Sequence, residues 1–142
     1  MLASKLNKKV LAIIPARYKS TRFPGKPLAL IAGKPMIQHV WERANSTKGI
    51  DEVIVATDDE RISNTVTNFG GKVSITSSYH KTGTDRIVEV ISQHSSEWIL
   101  NIQGDEPLIV PQDLEKLISK TLNKKGVKCA TLIHEINDEK VF

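Results

Sequence analysis

Two hydrophobic rhythms alternate along this chain. Short continuous apolar runs are each followed by a longer segment in which apolar side chains return every third or fourth position. The first rhythm is that of strands buried on both sheet faces; the second is that of helices with one buried stripe. The predicted strands are "VLAII" (residues 10–14), "EVIVAT" (52–57), "KVSIT" (72–76), "WILNIQ" (98–103) and "VKCATLI" (127–133). A first helix follows Pro35, which suits a first turn, with Met36, Ile37, Val40, Trp41 and Ala44 on one face. A second starts from Asp58 or Asp59 as its cap, buries Ile62, Val66 and Phe69, and is stopped by Gly70 and Gly71. A third follows a loop over residues 77–84 and turns Ile87, Val88 and Ile91 inward. A fourth, over residues 112–123, buries Leu114, Leu117, Ile118 and Leu122.

Repeated strand–helix units define an α/β protein: a Rossmann-like, mostly parallel sheet with helices on both faces. Ligands of such sheets bind beyond the carboxyl ends of the strands. The loops at those ends are residues 15–27, 58–59, 77–84 and 104–111, and they are also the segments richest in charged and hydroxyl side chains. That coincidence points to one site on one sheet edge. "GKP" occurs at Gly25 and again at Gly33, over too short a stretch to mean duplication.

Composition is ordinary for a globular domain of 142 residues, with 39% hydrophobic and 25% charged positions. Twenty Lys and Arg against 16 Asp and Glu give a formal charge of +4. Distribution changes the picture more than the total. No acidic residue precedes Glu42, while Lys5, Lys8, Lys9, Arg17, Lys19, Arg22, Lys26 and Lys34 all do. Such asymmetry favours an anionic partner. Nucleic acid fits poorly, because stacking aromatics are not interleaved with the basic residues. No apolar run is long enough to span a bilayer, and "MLASKLNKK" lacks the apolar core of a signal peptide. The expectation is a cytoplasmic protein with a flexible leader over residues 1–8 and a single folded portion over 9–142. Cys129, the single cysteine, excludes an internal disulfide and reads as a small buried hydrophobe.

Three stretches carry candidate chemistry. "IPARYKSTRFPGKPL" (14–28) supplies Arg17, Arg22, Gly25 and Lys26, the parts from which phosphate sites are made; a solvated basic turn is the alternative. It is not a P-loop, because Pro27 stands where a magnesium-binding hydroxyl is required, and the dinucleotide fingerprint is absent. "NIQGDEP" (101–107) delivers Gln103 and then Asp105, a hard oxygen ligand suited to Mg²⁺, with Glu106 as second candidate; turn chemistry is the alternative. "HKTGTDR" (80–86) offers hydroxyls at Thr82 and Thr84 and close backbone approach at Gly83, although either threonine also suits a helix cap. His39, His80 and His94 receive no catalytic role. No Ser-His or Cys-His arrangement is present.

Together with "GKPMIQHVWERA" and "VATDD", these stretches resemble in order and spacing the sugar cytidylyltransferases, and among them the 3-deoxy-manno-octulosonate (KDO) cytidylyltransferases. The resemblance runs from Val10 to Leu132. It implies a nucleotide-diphospho-sugar-transferase fold, CTP and KDO as substrates, release of pyrophosphate, a role in lipopolysaccharide synthesis and a homodimer. It implies that Arg17, Arg22 and Lys26 hold the triphosphate, that Asp105 ligates Mg²⁺, and that Ala16, Gln103, Thr82 and Gly83 lie at the substrate. The family usually has serine where Thr82 stands; the hydroxyl is kept. It further implies that the fold is truncated here, with a second metal carboxylate and most sugar contacts beyond Phe142. Sialic acid as acceptor, or a non-catalytic nucleotide-binding fragment, are the alternatives.

Overall fold

The computed structural model describes residues 10–133 and residue 135; the leader assigned to residues 1–8 lies outside them. Its elements are β1 (Val10–Pro15), β2 (Leu30–Ile31), β3 (Lys34–Pro35), α1 (Met36–Asn45), β4 (Glu52–Thr57), α2 (Glu60–Asn68), β5 (Lys72–Ile75), α3 (Gly83–Ser92), β6 (Trp98–Asn101) and α4 (Pro111–Asn123). Four strands form one parallel sheet in the order β5-β4-β1-β6, with Ile13 of β1 opposite Ile54 on one side and Asn101 on the other.

Alternation along β1 feeds two cores. Ala12 and Ile14 face α1, α2 and α4 through Ile37, Val40, Ile62, Val66 and Leu114, while Leu11 and Ile13 face α3 through Ile87 and Val90. This is why the first strand reads as an unbroken apolar run: both of its faces are covered. Asp59 caps α2 by accepting from the Arg61 backbone N–H, one of the two caps anticipated.

The structure departs from the sequence reading in five places. Ala32 and Gly33 both take positive φ (49° and 80°) in a two-residue turn that joins β2 to β3, a hairpin the apolar pattern does not announce. Val88 is exposed; Arg86 takes the inward position beside Ile87 and Val90. Leu117 and Leu122 are half-buried rather than core. The ladder of β6 ends at Asn101 and not at Gln103, although the Ile102 N–H still donates to the Ile13 carbonyl at 3.1 Å. Lastly, "VKCATLI" forms no strand. Alternating apolar positions become a strand only where a ladder accepts them. Residues 128–130 instead line a cavity of about 130 Å³ with β6 and α4, Ile133 is exposed, and Cys129 is exposed rather than buried.

Candidate functional site

The chain leaves β1 toward β4 and β5 on one side and returns to β6 on the other. The carboxyl ends of β1 and β6 therefore flank the point where strand order reverses, the place where open α/β sheets form a crevice. The loop after β1 folds back through backbone bonds: Gly25 N–H donates to the Tyr18 carbonyl at 2.8 Å, and Leu28 N–H to the Gly25 carbonyl at 2.8 Å. Lys26–Leu28 then form a 3-10 turn with Pro27 buried. Tyr18 is fixed from the other side, since the guanidinium carbon of Arg61 lies 3.3 Å from its ring centroid. Arg61 is in turn held by both carboxylate oxygens of Asp59, at 3.0 and 2.7 Å. This fork holds the Asp59 carboxyl below its ordinary range.

Gly25 is the pivot of this loop. Its φ is 72°, and a Cβ there would stand 3.0 Å from two Tyr18 ring carbons. Gly25→Ala is expected to lose about 2–3 kcal/mol, from the left-handed backbone plus the ring contact. Gly33→Ala, at a φ of 80° but with open space around its Cβ, loses only the backbone part, about 1 kcal/mol. Urea unfolding of the two variants separates the terms.

At the edge of β1 and β6 lies a cleft of about 460 Å³ lined by Ala16, Arg17, Ser20, Arg22, Phe23, Lys26, Gln103, Gly104 and Asp105, among others. Six of the eight residues singled out from sequence are thereby brought together. Gly104 permits this: its Cβ position is 3.0 Å from the Pro15 carbonyl oxygen, so a side chain there would push the two loops apart. Ser20 and Phe23 also line the cleft and went unnoticed in the sequence, where they read as loop filler. Glu106 is exposed, is not among the lining residues, and donates its N–H to the Gln103 carbonyl in the turn.

The basic loop is not without a carboxylate, as its composition suggests. Lys26 Nζ donates to Asp105 Oδ2 at 2.8 Å. The ammonium holds the Asp105 carboxyl below its ordinary value of 3.8. Because the folded value is depressed, the pair's stabilisation is full above that ordinary value and is lost as pH falls through the folded one. Both side chains are largely solvated, 38% and 55% exposed, so the contribution is about 0.5–1 kcal/mol or less. The urea midpoints of the native chain and Lys26→Met are expected to converge in acid and to separate toward neutral pH.

Asp105 is suited to Mg²⁺ by chemistry and by place, but among the described residues no group of three or more His, Cys, Asp or Glu could hold a metal. One carboxylate fits an ion bound jointly with phosphate oxygens and water, not one caged by protein.

Thr82 and Gly83 are not among the residues that line the cleft. Thr82 caps α3 in a reciprocal box with Asp85: its Oγ1 accepts from Asp85 N–H at 3.1 Å and donates to Asp85 Oδ2 at 2.7 Å. The cap assignment is therefore correct, and the hydroxyl is already engaged. The segment still reaches the site, because Arg17 Nη1 donates to the Lys81 carbonyl at 3.4 Å and Gly83 packs on the Pro15 ring. Arg86, buried behind this segment, is a further residue that sequence reasoning missed. Its spacing four before Val90, on the inward stripe of α3, was the signal.

A parallel sheet whose carboxyl edge sets a basic turn against one carboxylate defines an α/β protein with a cleft suited to an anionic ligand. The comparisons narrow the class. The chain belongs to the cytidylyltransferase family, whose model matches residues 11–142. It is 54% identical over 123 residues to a 3-deoxy-manno-octulosonate cytidylyltransferase of Geobacter sulfurreducens, covering 87% of this chain and 49% of the relative. It is 53% identical over 134 residues to an 8-amino-3,8-dideoxy-manno-octulosonate cytidylyltransferase of Shewanella halifaxensis, covering 92% and 55%. A solved CMP:2-keto-3-deoxy-manno-octonic acid synthetase complexed with CTP superposes with a TM-score of 0.82 at 50% identity, over 84% of this chain and 49% of that one. The chain thus spans about half the length of the relatives it matches. Among the described residues, no helix is long and apolar enough to cross a membrane.

Proposed function

We propose that this chain carries the nucleotide-binding portion of a KDO cytidylyltransferase, which moves CMP from CTP to the anomeric hydroxyl of KDO for lipopolysaccharide synthesis in the cytoplasm. The observation that carries the reading is the cleft in which Arg17, Arg22 and Lys26 stand with Gln103 and Asp105, in a chain half identical to such enzymes. In the proposed reaction a sugar oxygen bonds to the α-phosphorus, the bond from that phosphorus to the bridging oxygen breaks, pyrophosphate leaves, and the hydroxyl proton passes to solvent. No protein nucleophile is required.

Arg17 and Arg22 hold phosphate oxygens, and Lys26 offsets the charge that grows on the departing pyrophosphate. Gln103, Ala16 and the Thr82–Gly83 backbone take the nucleoside. Asp105 would hold Mg²⁺, which would supply positive charge to the site. Lys26 and Asp105 satisfy each other; with substrate bound, the ammonium would be available to phosphate and the carboxylate to Mg²⁺.

The near-equal identities of 54% and 53% favour a second reading of the acceptor, the 8-amino analogue of KDO. Calorimetric titration with CTP, UTP, ATP and GTP, with and without Mg²⁺, tests the nucleotide half of the proposal. CTP should bind best, and more tightly with Mg²⁺ than without; equal binding of all four would refute it. Turnover of a full-length version on KDO against its 8-amino analogue decides the acceptor.

A further inference from the structure

Arg86 is 4% exposed and is the one charged residue in the buried set among the described residues. A guanidinium withdrawn from water persists only with its donors satisfied. Arg86 Nη1 donates to Thr76 Oγ1, and Nη2 lies 3.2 Å from Asp58 Oδ1. Asp58 is the first residue after β4, Thr76 the first after β5, and Arg86 sits in the opening turn of α3. One planar group thus spans the carboxyl ends of two adjacent strands and ties them to the helix that begins at Gly83.

The segment between these anchors is fastened at both ends. Glu89, one turn further along α3, accepts from Ser77 N–H at 2.9 Å and pairs with His80. Lys81 receives Arg17, and Thr82 is locked in its capping box. The phosphate loop is held by other means: the Gly25–Tyr18 backbone bond, the 3-10 turn at Lys26 and the Lys26–Asp105 pair. None of these contacts runs through Arg86. The two halves of the site meet at the Arg17–Lys81 bond, and their other supports are separate.

We propose that Arg86 is a positioning residue for the nucleobase side of the site, and that discrimination between bases depends on its contacts with Thr76 and Asp58. The inference rests on the nucleotide-binding reading above, with residues 81–83 beside the base. Arg86 touches no substrate itself. It sets the height and tilt of the backbone that would, and a misplaced backbone group loses selectivity before it loses charge attraction.

The test uses the 142-residue chain, titrated with CTP, UTP and inorganic tripolyphosphate in Mg²⁺. Arg86→Lys keeps the charge, but a single ammonium cannot span both acceptors. The preference for CTP over UTP is expected to fall by about fivefold in this variant. Tripolyphosphate affinity stays within about twofold, since the supports of Lys26 lie outside residues 77–83, which meet the phosphate side through the Arg17–Lys81 bond. Amide exchange over residues 77–83 should quicken about tenfold, with residues 25–28 unchanged. Parallel loss of CTP and tripolyphosphate affinity, or an unchanged CTP/UTP ratio, overturns the proposal. If Arg86→Lys does not fold, Thr76→Val decides: it removes one acceptor and leaves Asp58. A loss of about threefold in base preference supports the proposal, and an unchanged preference overturns it. A native chain that binds CTP, UTP and tripolyphosphate alike overturns the underlying nucleotide reading instead, before any variant is made.

Discussion

Lys26→Ala, placed in a full-length enzyme carrying these residues, lowers kcat/KM by about two orders of magnitude, the scale of losing one preorganised charge at a transition state. Two effects combine. The ammonium that would offset charge on departing pyrophosphate is gone, and in the absence of metal Asp105 loses its partner at 2.8 Å. The second effect can be isolated. Asp105→Asn added to Lys26→Ala, assayed for metal-free CTP binding, should recover part of the affinity that Lys26→Ala alone removes. Lys19 is exposed and is not among the residues lining the cleft, so Lys19→Ala should change kcat/KM only a few-fold. Equal losses at Lys19 and Lys26 would mean diffuse attraction by a basic loop and would sink the specific role.

Asp105→Asn is expected to abolish most magnesium-dependent turnover while barely moving the melting temperature. The side chain is 55% exposed and its ion pair is solvated, so the fold loses about 1 kcal/mol at most. The backbone turn is retained, because Gly104 and the Glu106-to-Gln103 hydrogen bond do not use the carboxylate. Metal-free CTP binding should hold or tighten a few-fold, since Lys26 no longer has a competing anion. The combination distinguishes a metal ligand from a turn residue. A large drop in melting temperature with an unchanged magnesium response would return Asp105 to turn chemistry.

The strands and helices that pack against the sheet were legible for a simple reason. Burial on both faces forces an unbroken apolar run in β1 and β4, and burial on one side forces a stripe in α1 and α2. Reading the loops at the carboxyl ends of the strands then located Arg17, Arg22, Lys26 and Asp105 on one edge, with Gln103 at a predicted strand end, while Ala16 came only with the family resemblance. Local propensity failed where a partner decided the outcome. "VKCATLI" has strand character but no ladder, so it remains irregular beside β6. The β2–β3 hairpin has little strand character; a turn with positive φ at Ala32 and Gly33 brings its two short arms together.

The sequence by itself determined the α/β class, the edge that bears the site, and the residue types available there, because periodicity and loop composition are local properties that survive without coordinates. Tertiary structure decided which of those groups meet. It set Lys26 against Asp105 across 79 positions of chain, placed Thr82 in a helix cap rather than in the cleft, and buried Arg86 against Thr76 and Asp58. Such pairings depend on sheet order and on where each loop returns. Strand order is fixed by which apolar faces can be covered together, a property of the whole assembly and of no single stretch.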